Sequence, residues 1–433
     1  MPELNGEEVC KEVAEKISGL GTEGFEEKEG WIWVFDREKE QTDDVKKKVH
    51  IPGVGEICDK MNLDIPFYSV VEQDDEFKAI HSSNQAWRFS TTFVKQLYLR
   101  SVFGEEDFQE VADELIRDAK KEESKLKAYS LLLKPDVDTE FKEELKIDDD
   151  FELREVSHKE AELLYNSLGG GLMKERLGNY LGTKGTGYFY IFEKKFSRIQ
   201  RENQSPSEEV ENYTEEILDK ASDFDAALIL NDVDDVSHTR FQLFNQATKA
   251  PISSIPHNLT AREGLWVLGK HYSESIENAL ETYNQINRQE KSRGDGINLA
   301  LRRLLSAKRK DNIEDELLDL CIAIEAIASM GREGRFDWSV RVALALEQPE
   351  VISELDALWD KRNDIAHGNY QPIEREDIDT LQGILVSYLN EELEYSSKKE
   401  QSLKDSLEIE RVRMNHGDNS EVEEKINQIL DSS

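Results

Sequence analysis

With 433 residues the chain has room for two or three domains, and a hydrophobic share of 38% in regular patterns argues for a globular protein. Lys+Arg 55 against Asp+Glu 92 leaves a net charge of −37, which repels nucleic acid except where a site is locally basic. One reading of that charge is a salt-adapted, halophilic cytoplasm, since at ~1 M salt the Debye length is only about 3 Å. An ordinary acidic protein is the other. No apolar run approaches the ~20 residues that span a bilayer, and Met1–Glu8 has neither the basic nor the apolar region of a signal peptide. The expected location is the cytoplasm, with no membrane partner. Cys10, Cys58 and Cys321 are odd in number and far apart, so neither a disulfide framework nor a CxxC metal site is indicated.

In chain order, residues 8 to 18 read as a short amphipathic helix. Gly19-Leu20-Gly21-Thr22-Glu23-Gly24 matches a dinucleotide fingerprint by letter. It has a helix before it and the aromatic strand Trp31–Phe35 after it, the reverse of what that motif needs, so it reads as a loop. A strand follows at Phe67–Val71, then helices over Gln85–Phe103 and Glu105–Lys121. From about Ser124 strands take over, at Ala128–Leu133, Phe151–Val156, Tyr188–Phe192 and Ala226–Leu230, with a capped helix from Ser157 to Leu168. The glycine stretches 169–171 and 182–187 lack P-loop spacing, and the second suits a hairpin turn. Asp148–Asp150 and Asp232–Asp235 lack the glycine and distal Glu of a calcium loop and read as solvated turns. Asn203–Glu211 reads as a polar loop, and Thr248–His257, with Pro251 and Pro256, as a hinge.

The remainder is helical. A capping box at Thr260–Glu263 opens a helix running past Trp266 and Tyr272 towards Ile286. Gly294-Asp295-Gly296 precedes a helix carrying Arg302, Arg303, Lys308, Arg309 and Lys310, the densest basic run in the chain. Residues 314 to 329 are apolar nearly all round, which predicts a central helix. Glu325 is the charge in its middle. An unpaired buried carboxylate costs several kcal/mol, and Arg341 on the next helix is the nearest partner in sequence. That pair is either a structural ion pair or support for a site. Ile378, Leu381, Leu385, Tyr388 and Leu389 form the stripe of a last core helix, and beyond Tyr395 the tail is charged. The expected class is α+β: a mixed α/β region at 1–122 and a strand-rich region at 123–250, then an all-α bundle at 251–395 and a charged tail at 396–433.

One stretch carries chemistry: Lys361-Arg362-Asn363-Asp364-Ile365-Ala366-His367-Gly368. The stripe Val351, Leu355, Leu358, Arg362, Ile365 puts Arg362 where the pattern calls for an apolar residue, so its guanidinium should face an anion or an interface. Five residues apart, Arg362 and His367 point roughly 140° away from each other on a regular helix. A bend, a long Arg reaching around, or a second copy of the chain must bring them together. The plain alternative is a helix end, with Gly368 at C′ and His367 complementing the helix dipole. Arg411 and His416 repeat the spacing in the polar tail, without the asparagine or the apolar stripe.

Leu299–Leu305, Leu317–Ala326, Ser339–Leu344 and Leu358–Gly368 follow one another in an order that resembles HEPN domains, most closely the Apea-like branch. The resemblance spans roughly 260–395, about a third of the chain. It implies a helical bundle that dimerises, with Arg362, Asn363 and His367 forming a site that is commonly composite across the dimer. It also implies a metal-independent endoribonuclease with RNA as substrate, acting in defence or stress. The residue types suit that chemistry. When a 2′-hydroxyl attacks the adjacent phosphate, histidine moves protons near neutral pH and arginine stabilises the phosphoryl oxygens. No cofactor or metal is expected, the chain lacking HExxH and clustered His and Cys. The competing expectation is a non-catalytic HEPN module for dimerisation or ligand binding.

Overall fold

The computed structural model describes residues 6–20, 32–33, 46–47, 57, 83–98, 100–101, 106–120, 123–132, 145–155, 188–197, 206–231, 241–245, 250–255, 272–288, 295–329, 335–369, 372–399, 407 and 424. Ten helices and two antiparallel sheets make up these residues, a mixed α+β class. The chain divides into two compact units. The first holds residues 1–136, 142–217 and 238–258; the second holds 137–141, 218–237 and 259–433. Neither is a continuous stretch of chain, unlike the four successive regions read from the sequence. The expected strand Phe67–Val71, the helix 157–168, both glycine stretches, residues 232–235 and 260–271, and the Arg411/His416 pair lie outside the described residues.

In the first unit, α1 (Gly6–Ser18), α2 (Ser83–Tyr98) and α3 (Phe108–Ala119) share one apolar core. Cys10, Val13, Ala14 and Ile17 recur at helical spacing and are fully buried against Phe89, Phe93, Leu97, Val111 and Leu115. Helix α3 starts where Asp107 accepts bonds from the Gln109 and Glu110 amides. A two-stranded ladder pairs β1 (Ile32–Trp33) with β2 (Lys46–Lys47), so β1 is the described part of the expected aromatic strand.

The larger sheet is built from β3 (Glu123–Leu132), β4 (Leu145–Lys146), β5 (Phe151–Glu155), β6 (Tyr188–Ser197), β7 (Phe241–Asn245) and β8 (Ala250–Ile255). Its order is β4-β5-β6-β3-β7-β8, antiparallel throughout. Successive residues Tyr190, Ile191 and Phe192 are all buried, which marks β6 as covered on both faces. Phe151 stacks on its cross-strand partner Phe192 at 4.0 Å. Asp148–Asp150 forms the turn between β4 and β5, with the Ile147 and Asp148 amides bonded to the Phe151 carbonyl, as the solvated-turn reading expects. Two expectations are corrected here. Thr248–His257 is not a hinge: β8 occupies most of it as an edge strand, where Pro251 removes no interior ladder bond. Ala226–Leu230 is not a strand, and the polar loop expected at Asn203–Glu211 is helical from Pro206. Both belong to the 25-residue helix α4 (Pro206–Leu230), whose last five residues, Ala226–Leu230, are apolar and all buried.

The second unit is a bundle of α5 (Tyr272–Arg288), α6 (Asp295–Lys308), α7 (Ile313–Ala328), α8 (Arg335–Leu346), α9 (Val351–Ala366) and α10 (Arg375–Lys399). The C-terminal part of α4 joins it. Phe224 sets its ring edge-on to Tyr283, the Asn231 amide donates to Thr282, and Asn390 donates to the Leu230 carbonyl. Helix α7 is central, packing on α6, α8, α9 and α10. Ile378, Leu381, Leu385, Tyr388 and Leu389 of α10 are all buried, as their spacing predicts.

Gly296 lies so close to α7 that a Cβ there would sit 2.7 Å from the Ala326 carbonyl oxygen. Gly296→Ala is expected to destabilise the bundle by about 1–3 kcal/mol, read as a lower denaturant midpoint. Asp223 gives a pH signature. Burial, reinforced by Asp219 one turn earlier, pushes its carboxyl up to about 7. The folded state therefore holds a proton that the unfolded chain loses near pH 4, and stability present below that value is lost as pH rises towards 7. Asp223→Asn should remove this loss. Its melting temperature relative to wild type is expected to climb between about pH 4 and 7.

Candidate functional site

Helix α9 is built by Val351, Ile352, Leu355 and Leu358, which are buried against its neighbours. Arg362 takes the next position of that stripe and is half-buried, as is Ile365. The tolerance for a cation there comes from an aromatic. The Arg362 Cζ lies 5.0 Å from the centre of the Trp359 ring, one helical turn earlier, and Trp338 of α8 packs edge-on to Trp359 at 5.1 Å. Arg362 Nη1 donates to Asn363 Oδ1 at 3.0 Å. Its Nε is buried and has no hydrogen-bond partner. Burial pushes the Cys321 thiol of α7 up to about 12, with the Arg362 charge acting to lower it and Glu325 to raise it. Cys321 is an inert thiol in this setting.

His367 is exposed at the C-cap of α9. The helix closes in a Schellman motif: the Asn369 amide bonds to the Asp364 carbonyl at 2.8 Å, and the Gly368 amide to the Ile365 carbonyl at 2.9 Å. Gly368 supplies the required positive φ of 77°. The helix-end reading of this segment is therefore correct, and it is compatible with a site. Helix α9 runs without interruption to Ala366, so no bend turns Arg362 towards His367. Asn363 lies beside Arg362 and one turn below His367, whose amide bonds to the Asn363 carbonyl.

The supporting pair differs from expectation. Glu325 is half-buried, so it is not a fully desolvated carboxylate in need of a cation. Arg341 is completely buried and donates from Nε at 3.0 Å and Nη2 at 2.8 Å to the Ala328 carbonyl, closing the end of α7. The acids that α7 does bury are Glu316 and Asp319. Glu316 receives Arg375 at 2.6 Å; Asp319 receives Arg303 at 2.8 Å and the Ser306 hydroxyl at 2.6 Å, with Lys310 at 3.9 Å. The basic run of α6 thus serves helix packing in part. Around the motif, Lys361 is held by Asp377 at 2.6 Å, and Asp356, Asp360 and Asp364 recur every fourth residue along α9.

Trp359 and Trp338 escaped the sequence reading. The signal for Trp359 was its place three residues before Arg362 on one helix. Among the described residues no cluster of three or more His, Cys, Asp or Glu is placed to hold a metal ion, and no helix is long and apolar enough to cross a membrane.

The ends of α8 and α9 offer a paired test. Both close with the same bond pattern, but α8 places Glu347 at a φ of 55° where α9 has Gly368. Glu347→Gly should stabilise the bundle by up to about 1 kcal/mol, and Gly368→Ala should destabilise it by about the same, in chemical denaturation.

The chain matches no family model, no curated protein and no solved structure.

Proposed function

We propose that the chain is a HEPN-type endoribonuclease whose α5–α10 bundle pairs with a second copy. Its residues would cleave RNA by attack of a 2′-hydroxyl on the neighbouring phosphate. The observation that carries this reading is the asymmetry of the motif. Arg362 is held between the Trp359 ring and Asn363, while His367 stands exposed at the helix end. A held cation suits the fixed charge that a phosphorane needs, and an exposed imidazole suits proton transfer with a bound nucleotide. In the proposed reaction an imidazole takes the 2′-hydroxyl proton, the new P–O bond expels the 5′-oxygen, and that oxygen is reprotonated. The products are a 2′,3′-cyclic phosphate and a 5′-hydroxyl. Asn363 would orient the phosphate or the 2′-hydroxyl. The roughly 140° between Arg362 and His367 on an unbent helix supports a composite site, each half facing its counterpart in the second copy.

The second reading is a non-catalytic dimerisation or ligand-binding module. It is favoured by the Asp356, Asp360 and Asp364 stripe beside the motif, which repels a polyanion.

His367→Ala should lower cleavage by about 10²–10⁴-fold and Arg362→Ala by about 10²–10³-fold. Arg362→Lys should restore little, because an ammonium cannot make the forked contact. Cleavage should persist in EDTA, and the two single variants, mixed, should regain activity as a heterodimer. Light scattering that shows a monomer at all protein and salt concentrations overturns the composite site. A dimer that leaves RNA intact selects the module.

A further inference from the structure

We propose that Trp359, buttressed by Trp338, is the residue that positions the Arg362 guanidinium, a role that rests on the reading above for its effect on cleavage but not for its effect on the arginine. Three observations converge on it. The Arg362 Cζ stands 5.0 Å from the centre of the Trp359 ring, at the contact distance of a cation over an aromatic face. The ring is itself fixed: Trp338, only 2% exposed on α8, meets it at 5.1 Å and 62°, the tilted arrangement that aromatic pairs favour. The third is what the guanidinium lacks. Among the described residues its hydrogen bond is the one from Nη1 to Asn363, an immediate chain neighbour, and Nε is buried with none.

A donor without a partner is driven back to water, because leaving it buried is unfavourable. Here the contact that opposes that escape is the ring face. An arginine side chain otherwise has large rotamer freedom, which would blur the geometry a preorganised cation needs. The spacing supports the same role, since residues three apart lie on one side of a helix and α9 presents Trp359 directly beneath Arg362. Asn363 then sets the rotation of the guanidinium plane by holding Nη1. In this arrangement α8 acts on the site through an aromatic pair: Trp338 packs edge-to-face with Trp359, and the Trp359 ring holds the charge.

The test uses full-length protein carrying 15N-arginine, with Trp359→Leu, Trp359→Phe, Arg362→Ala and the Trp359→Leu/Arg362→Ala double variant. In wild type, the resonance missing from Arg362→Ala identifies the Arg362 Nε–H. It is expected upfield, shifted by the ring current, and slow to exchange. Trp359→Leu should return it towards the free-arginine position, and Trp359→Phe should keep part of the shift. On RNA, Trp359→Leu should reduce kcat by about 2- to 30-fold with KM little changed, the range of a cation–π contact. Trp359→Phe should recover most of that, and the double variant should be no slower than Arg362→Ala alone. An unshifted, fast-exchanging Nε–H in wild type overturns the proposal, and it does so even if Trp359→Leu fails to fold. So does full cleavage by Trp359→Leu with an unmoved resonance. If wild type does not cleave RNA, or Arg362→Ala cleaves like wild type, the ribonuclease reading fails. The resonance then decides the positioning role by itself.

Discussion

Burial of α7 is possible only because each polar group it carries inward meets a partner from a neighbouring helix. Its sequence is apolar nearly all round, yet Glu316, Asp319 and the terminal Ala328 carbonyl lie in the interior. Arg375 reaches Glu316 from α10, Arg303 reaches Asp319 from α6, and Arg341 reaches Ala328 from α8. A buried charge that loses its partner costs about 3–5 kcal/mol, a large share of the stability of any domain. These contacts specify which helices can surround α7 and at what height, where apolar packing alone would tolerate sliding.

That arrangement determines where α9 can lie. Val351, Ile352, Leu355 and Leu358 are drawn onto the bundle, and the stripe carries Arg362 to the point where burial gives out. The guanidinium then meets Trp359 on its own helix. His367 falls one turn beyond, past the last buried position, and the Schellman closure at Gly368 keeps it exposed. The two side chains are thus separated by the ordinary geometry of a helix ending, five residues and roughly 140° apart around the axis.

A strongly negative net charge works against any polyanionic partner. The chain has a net charge of −37, and the aspartates of α9 extend that field to the motif. Lys361 and part of the α6 basic run are engaged in ion pairs with Asp377 and Asp319. Arg362 differs because its charge is held by a ring face and not by a carboxylate, which leaves it able to meet an anion. High salt would shorten the range of the surrounding repulsion while leaving a direct contact largely intact.

Local patterns determined a good deal by themselves. The 3.6-residue spacing of apolar side chains marked α1, α9 and α10, because an amphipathic helix has one way to hide its stripe. The turn at Asp148–Asp150 and the helix end at Gly368 were legible from single residues whose backbone preferences are strong. What failed was a short segment buried on all sides. Ala226–Leu230 has no periodicity to read, since the end of α4 is enclosed from every direction, and a short apolar run fits strand and helix equally. Pro251 looked like a hinge because only the finished sheet shows that β8 is its edge. The partners of Arg341, Glu316, Asp319 and Arg303 were likewise undecidable from the chain. Each depends on which helices meet across the core, and a long cation reaches whatever oxygen tertiary packing brings within its length.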